Sequence, residues 1–169
     1  MENKKQIYIS ELALVVSIVS LIVTIVIAVK QYKENIIVVT DKFSISNIDL
    51  ENGIVDCDID IIVANTSLRT TSLLGYKAKR SSAGLKAAKE IESTTSKELP
   101  LTLIQGSAEK LTIYCRYTLQ PEEILAISNG GSITHILKKC WIGIQFDSAK
   151  GKTYFSTARF EDAVLNCSK

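Results

Sequence analysis

Eighteen consecutive residues without a charge, Leu12 to Val29 (LALVVSIVSLIVTIVIAV), constrain this chain more than any other feature. As a helix rising about 1.5 Å per residue, the run is roughly 27 Å long, close to the hydrocarbon thickness of a bilayer. Tyr8 and Tyr32 flank it, and Lys4, Lys5, Lys30 and Lys33 lie just outside, as interfacial anchors do. Val and Ile favour strand in water. In lipid every backbone group must be paired within the segment, which selects helix. Two other readings exist: a removable secretory signal, with Val26-Ile27-Ala28 as a cleavage site after a basic start, and a buried core segment. The run is longer than an ordinary signal core, and no Gly or Pro interrupts it. A permanent single-pass signal-anchor is therefore the expected role.

One stripe of this helix carries Ala13, Ser17, Ser20, Thr24 and Ala28, spaced four, three, four and four residues apart. Small residues at that spacing allow two helices to approach closely, so the stripe is a candidate helix–helix interface and a route to a homo-oligomer. The simpler reading is that its hydroxyls bond back to carbonyls of their own helix.

The expected organisation is a short tail (1–11), the transmembrane anchor (12–29), a juxtamembrane linker (30–35), a β domain (36–162) and a C-terminal tail (163–169). Beyond residue 29 the chain holds 18 basic and 16 acidic side chains. So even a balance, with no concentrated basic stripe, argues against a nucleic-acid partner. The polar patch KQYKEN leads directly into IIVVTDKFSIS, which starts the folded part close to the bilayer. GIVDCDIDIIVANTS alternates, with Val55, Cys57, Ile59, Ile61 and Val63 on one face and Asp56, Asp58 and Asp60 on the other. TSLLGYKAKR and LPLTLI are shorter strand candidates, and GLKAAKEIE, in the connection between them, suits one or two helical turns. EKLTIYCRYTL alternates again. In QPEEILAISNGG, Pro121, Glu122 and Glu123 suit a helix start and Asn129-Gly130-Gly131 its end. KCWIGIQFDSAKGKTYFSTARF reads as a hairpin turning near Ala149 to Lys152.

In this order, DCDIDIIVANTS, EKLTIYCRYTL, PEEILAIS and CWIGIQF resemble strand B, strand E, the E–F crossover and strand F of an immunoglobulin-like domain, over roughly residues 36–160. The expected fold is mainly β, an immunoglobulin-like antiparallel β-sandwich preceded by one N-terminal transmembrane α-helix. On that assignment Cys57, Cys115, Cys140 and Cys167 gather at one pole, the one facing away from the bilayer. The resemblance implies a Cys57–Cys140 bridge like the B–F disulfide of immunoglobulin domains. The residues themselves leave open a disulfide set, a cluster of buried thiols, or a metal site, the last disfavoured by the absence of closely spaced pairs.

Lysines balance across the anchor, so charge does not set the orientation. The even cysteine count favours an extracytoplasmic domain of a cell-membrane protein. Asn65-Thr66-Ser67 and Asn166-Cys167-Ser168 are glycosylation sequons in a host that uses them.

Three constellations could carry chemistry. The row Asp56, Asp58, Asp60 could hold a cation, but Ile61 stands where a Ca²⁺ loop needs its turn-forming Gly, and Arg116 on the neighbouring strand can offset the charge. His135, the single histidine, would need Ser132 and Asp147 beside it to form a nucleophilic triad. Tyr76 to Arg80 (YKAKR), with Lys86 and Lys89, is the densest basic cluster and reads as a solvated edge. No catalytic residue, metal or cofactor is expected. The expected function is a non-enzymatic binding or structural module that meets a protein partner at the membrane. The alternative is an accessory subunit of a larger membrane complex, assembled through the transmembrane helix.

Overall fold

The computed structural model describes residues 2–81, 88–138 and 140–165. One long helix, α1 (Glu2–Tyr32), takes in the expected tail and the first three residues of the expected linker. Within it the Leu12–Val29 window has a mean hydropathy of 3.1, and none of it is buried by the rest of the chain. Three residues, 33–35, separate α1 from the first strand.

Ten strands follow among the described residues: β1 (Ile36–Asp49), β2 (Ile54–Asn65), β3 (Thr71–Ser81), β4 (Lys89–Glu90), β5 (Glu92–Thr95), β6 (Leu101–Leu103), β7 (Ala108–Thr118), β8 (Trp141–Ser148), β9 (Thr153–Arg159) and β10 (Val164–Leu165). Helices α2 (Pro121–Ser128) and α3 (Ile133–Ile136) lie between β7 and β8. One sheet runs β10-β1-β2-β7-β5, the other β4-β3-β8-β9, with β6 paired to the start of β3. Neighbours are antiparallel except β10, which runs parallel to β1. The domain thus continues to Leu165, three residues past the expected boundary at 162.

Period-two patterning produces the long strands. In β2, Val55, Cys57, Ile59, Ile61 and Val63 are fully buried and the intervening residues are half-exposed. In β7, Leu111, Ile113, Cys115 and Tyr117 point the same way. Ile142, Ile144 and Phe146 of β8 and Ala158 of β9 face them from the other sheet, and all belong to one core. Phe160, just after β9, is fully buried and meets two rings of the opposite sheet edge-on. Its centroid lies 5.0 Å from Phe43 of β1 and 5.6 Å from Tyr117 of β7.

One expectation fails here. The helical reading of GLKAAKEIE is replaced, where the chain is described, by β4 and the start of β5; residues 84–87 lie outside the described residues. Pairing decides against helix: Lys79↔Glu90 and Glu92↔Arg116 tie this short stretch to the two sheets, and tertiary ladders override weak local propensity. The turn after β1 needs Gly53, at φ +64, where an added Cβ would also lie 2.7 Å from Ile124 of α2.

Candidate functional site

Most of the polar side chains buried among the described residues collect at the two ends of the domain; Ser44 and Ser156, in the middle of β1 and β9, are the others. At the end away from α1 sits Arg80, only 3 % exposed although its sequence neighbourhood reads as a solvated basic edge. A β-irregularity between Leu73 and Gly75 explains the correction. It shifts the phase of β3, so that Leu73 points inward before it and Ala78 and Arg80 after it. The Arg80 Nη2 donates to both carboxylate oxygens of Glu123, at 2.7 and 2.8 Å, and Nη1 reaches the carbonyl of Thr118 at 3.4 Å. The guanidinium carbon lies 4.3 Å from the Tyr117 ring centroid, a cation–π contact. Glu123 is placed by α2, where Oε2 also accepts from the backbone N–H of Gln120. Pro121 at the helix start and this reciprocal cap explain why the helix begins there.

The cysteines of the sequence reading join this cluster. Cys57 lies directly opposite Cys115 across β2 and β7, and both are free thiols. The Cys57–Cys140 bridge implied by the resemblance is therefore not formed. Cys140 instead donates its S–H to Glu123 Oε1 at 3.7 Å and lies 4.0 Å from Arg80 Nη2. Cys167 lies outside the described residues. The Cys115 thiol and burial both push Cys57 far above the ordinary thiol range. Cys57 is thus held as the unreactive protonated form rather than as a nucleophile. Burial likewise raises the Tyr117 hydroxyl. That hydroxyl and Arg80 Nε are buried without a hydrogen-bond partner among the described residues. Beside them opens a cleft of about 430 Å³ whose wall mixes Lys89 and Arg116 with Glu90 and Glu92.

The opposite end is organised by Glu34, two residues after α1 and only 3 % exposed. Thr71 donates to one carboxylate oxygen and Ser148 to the other at 2.8 Å, while Lys152 Nζ reaches the Glu34 carbonyl at 3.0 Å. The residue expected in a linker is in fact a latch that fastens the helix exit to β3 and β8. Burial raises the Glu34 carboxyl, but the hydroxyls around it and the Lys150 charge outweigh that and hold it below its ordinary 4.5. A lowered folded-state value stabilises the fold above the unfolded value, and that contribution is lost as the pH falls through the folded one. Glu34→Gln is therefore expected to cost about 1.5–3 kcal/mol at neutral pH, the worth of hydrogen bonds to a charged group. The gap from the unchanged protein should close on acidification below pH 4.5. Denaturant unfolding across pH checks this, and an equal gap at neutral and acid pH would refute the carboxylate as its source.

Asn65, at the first sequon, is also not a surface acceptor. It is 1 % exposed, and its Nδ2 donates to the carbonyls of Arg69, Leu103 and Ile104 at 2.8, 2.9 and 3.2 Å. Asn166 of the second sequon lies outside the described residues.

The remaining constellations separate. Asp56 pairs with Arg116 (2.7 Å), Asp58 accepts from Ser46 (3.4 Å), and Asp60 from Lys110 (2.9 Å) and Thr112 (2.8 Å), so each carboxylate of the row has protein partners. The hydrogen bond from Arg116 first of all holds the Asp56 carboxyl below its usual range. No cluster of metal-ligating side chains forms among the described residues. His135 and Ser132 are exposed near α3. Asp147 lies at the far end of β8, bonded to Gln145 and Thr153, so the triad is not assembled. In the α1 stripe, Ser17 and Thr24 each donate to the carbonyl four residues earlier, of Ala13 and Ser20, at 2.8 Å.

No family model matches this chain. No curated protein matches it. Among solved structures it is similar to the protein described as ApaA from Bordetella pertussis, with 9 % identity, 75 % of this chain and 88 % of that one covered, and a TM-score of 0.41. It is also similar to a protein from Archaeoglobus fulgidus, with 14 % identity, 75 % and 94 % coverage, and a TM-score of 0.39.

Proposed function

We propose that this chain is a single-pass membrane protein whose helix holds a non-enzymatic, immunoglobulin-like β-sandwich at the bilayer surface, where the domain binds a protein partner. The Leu12–Val29 window carries the reading: an apolar helix left wholly uncovered by its own chain. Thirteen of its eighteen residues are Leu, Val or Ile. On an insertion scale they contribute about −4 to −8 kcal/mol before the small residues are counted. The strand order supports the immunoglobulin-like part. With β1, β2, β3, β5, β7, β8 and β9 taken as A to G, the sheets become A-B-E-D and C-F-G, and β4 is the C′ strand. The mixed-charge cleft at the far end offers a protein partner polar groups of both signs.

The alternative, a subunit assembled through its helix, draws on the small-residue stripe. Two of its three hydroxyls are already engaged within the helix, which leaves less for a partner helix to bind. The test is capture from detergent extract with the full chain and a truncation ending at Lys33. Both should stay in alkali-washed membranes, and the full chain alone should recover the partner. Equal recovery by both would move the binding element to the helix, and release of the full chain into the aqueous wash would overturn the anchor.

A further inference from the structure

Three loops share the helix-side end of the domain: residues 65–70, 104–107 and 149–152. They are fixed to the chain just after α1. The backbone N–H of Thr66 donates to the Asn35 carbonyl at 2.9 Å, Lys152 Nζ to the Glu34 carbonyl, and Ser148, at the edge of the third loop, to the Glu34 carboxylate. Asn65 joins the other two loops. Its amide holds the Arg69 and Ile104 carbonyls, and its own carbonyl accepts from the Gly106 N–H at 2.9 Å.

These loops contain Arg69, Lys150 and Lys152 and no acidic residue, and Lys33 adjoins them. Of the acids nearest these loops in sequence, Asp147 is bonded to Gln145 and Thr153, Glu109 is paired with Lys97, and Glu34, beside Lys33, is buried and engaged. The other end is mixed: Asp49 and Glu51 lie in the β1–β2 turn, Glu122 opens α2, and Glu161 and Asp162 follow β9, alongside Lys89, Lys138 and Arg159. The end beside the helix is thus the one whose loops carry basic charge alone. Two apolar tips stand among the cations, Leu68 at 53 % exposure and Ile104 at 62 %. A single exposed Leu or Ile is ordinary. These two are held close together, because the carbonyls of Arg69 and Ile104 meet on one Asn65 amide.

We propose that this end of the domain is a docking surface for an anionic bilayer, with Leu68 and Ile104 entering the headgroup layer and Lys33, Arg69, Lys150 and Lys152 facing lipid phosphates. The inference rests on the anchor reading above. Chain length forces the encounter. From Val29, the last residue of the apolar window, to Asn35 the chain spans at most about 15 Å, and the headgroup layer itself is several ångströms thick. The loops are thus delivered to the depth where basic side chains feel anionic lipid, within about one Debye length of the surface. The apolar tips then bury in the same layer that the cations approach.

The native Trp141, at the start of β8, makes the test direct. It pairs with Ser81 and Arg159 at the opposite end of the domain. Full-length protein, unchanged or carrying Leu68→Trp or Ile104→Trp, is reconstituted into vesicles with brominated acyl chains, either zwitterionic or containing phosphatidylglycerol. In anionic vesicles the introduced tryptophans should be quenched and blue-shifted while Trp141 is not. Quenching should weaken in zwitterionic vesicles, at high salt, and when Arg69→Glu and Lys150→Glu are added. If the variants float with anionic vesicles but are quenched no more than Trp141, docking is wrong and the anchor stands. Quenching equal in both lipids and indifferent to salt overturns the anionic preference. Failure to float removes the anchor and the docking surface together.

Discussion

Glu123→Ala is expected to lower the unfolding free energy by about 3–5 kcal/mol, because it removes the carboxylate paired with the buried Arg80 guanidinium. Arg80 and Glu123 side chains are 4 % and 13 % exposed, so neither charge can turn to water once its partner is gone. Cys140 loses one hydrogen-bond acceptor in the same step, and the Gln120 N–H loses its carboxylate. The loss follows from breaking the pair rather than from the pair being favourable, since desolvation costs two buried ions much of their mutual attraction. Replacing both partners, Arg80→Met with Glu123→Leu, should therefore recover most of the stability. Denaturant titration in detergent, followed by Trp141 emission, reads both variants. A double variant no more stable than Glu123→Ala would show that the pair itself, not the orphaned charge, holds this end together.

Phe160→Ala should be comparably damaging, at about 3–5 kcal/mol, for a different reason. Its ring is fully buried and contacts Phe43 and Tyr117 edge-on across the two sheets. Removing it leaves a cavity that neither strand ladder can close without sliding a sheet, and it forfeits two aromatic contacts besides. Phe160→Leu, which keeps most of the volume, should cost roughly half as much or less. The same titration separates the two, and equal losses would mean that volume is not the determinant.

Burial along β2 and β7 was legible because simple alternation survives in both, from Val55 to Val63 and from Leu111 to Tyr117. The β8–β9 hairpin and α2 were legible from their turn and cap residues. What escaped the sequence depends on partners distant in the chain. Arg80 turns inward through an irregularity that local periodicity does not announce. Glu34 sits in a polar patch that reads as linker until Thr71 and Ser148 close over it. Residues 164–165 look like a tail until Ser44 and Ile45 accept them as a parallel strand. The Arg80–Glu123 cluster was half visible, through Cys57, Cys115 and Cys140. A charged residue in phase with buried Ala78 was the remaining signal, hidden by the phase change before it.

The short hinge after α1 has a mechanical meaning. With the carboxylate of the second residue beyond the helix clasped from two strands, the domain has almost no tether on which to wander. On the proposed reading, the far cleft then rides at a height set by strand length, up to about 40 Å for the twelve residues of β2. Whatever it captures must reach down to, or stand up to, that altitude, so the gap between two facing structures becomes a criterion of selection in addition to surface chemistry.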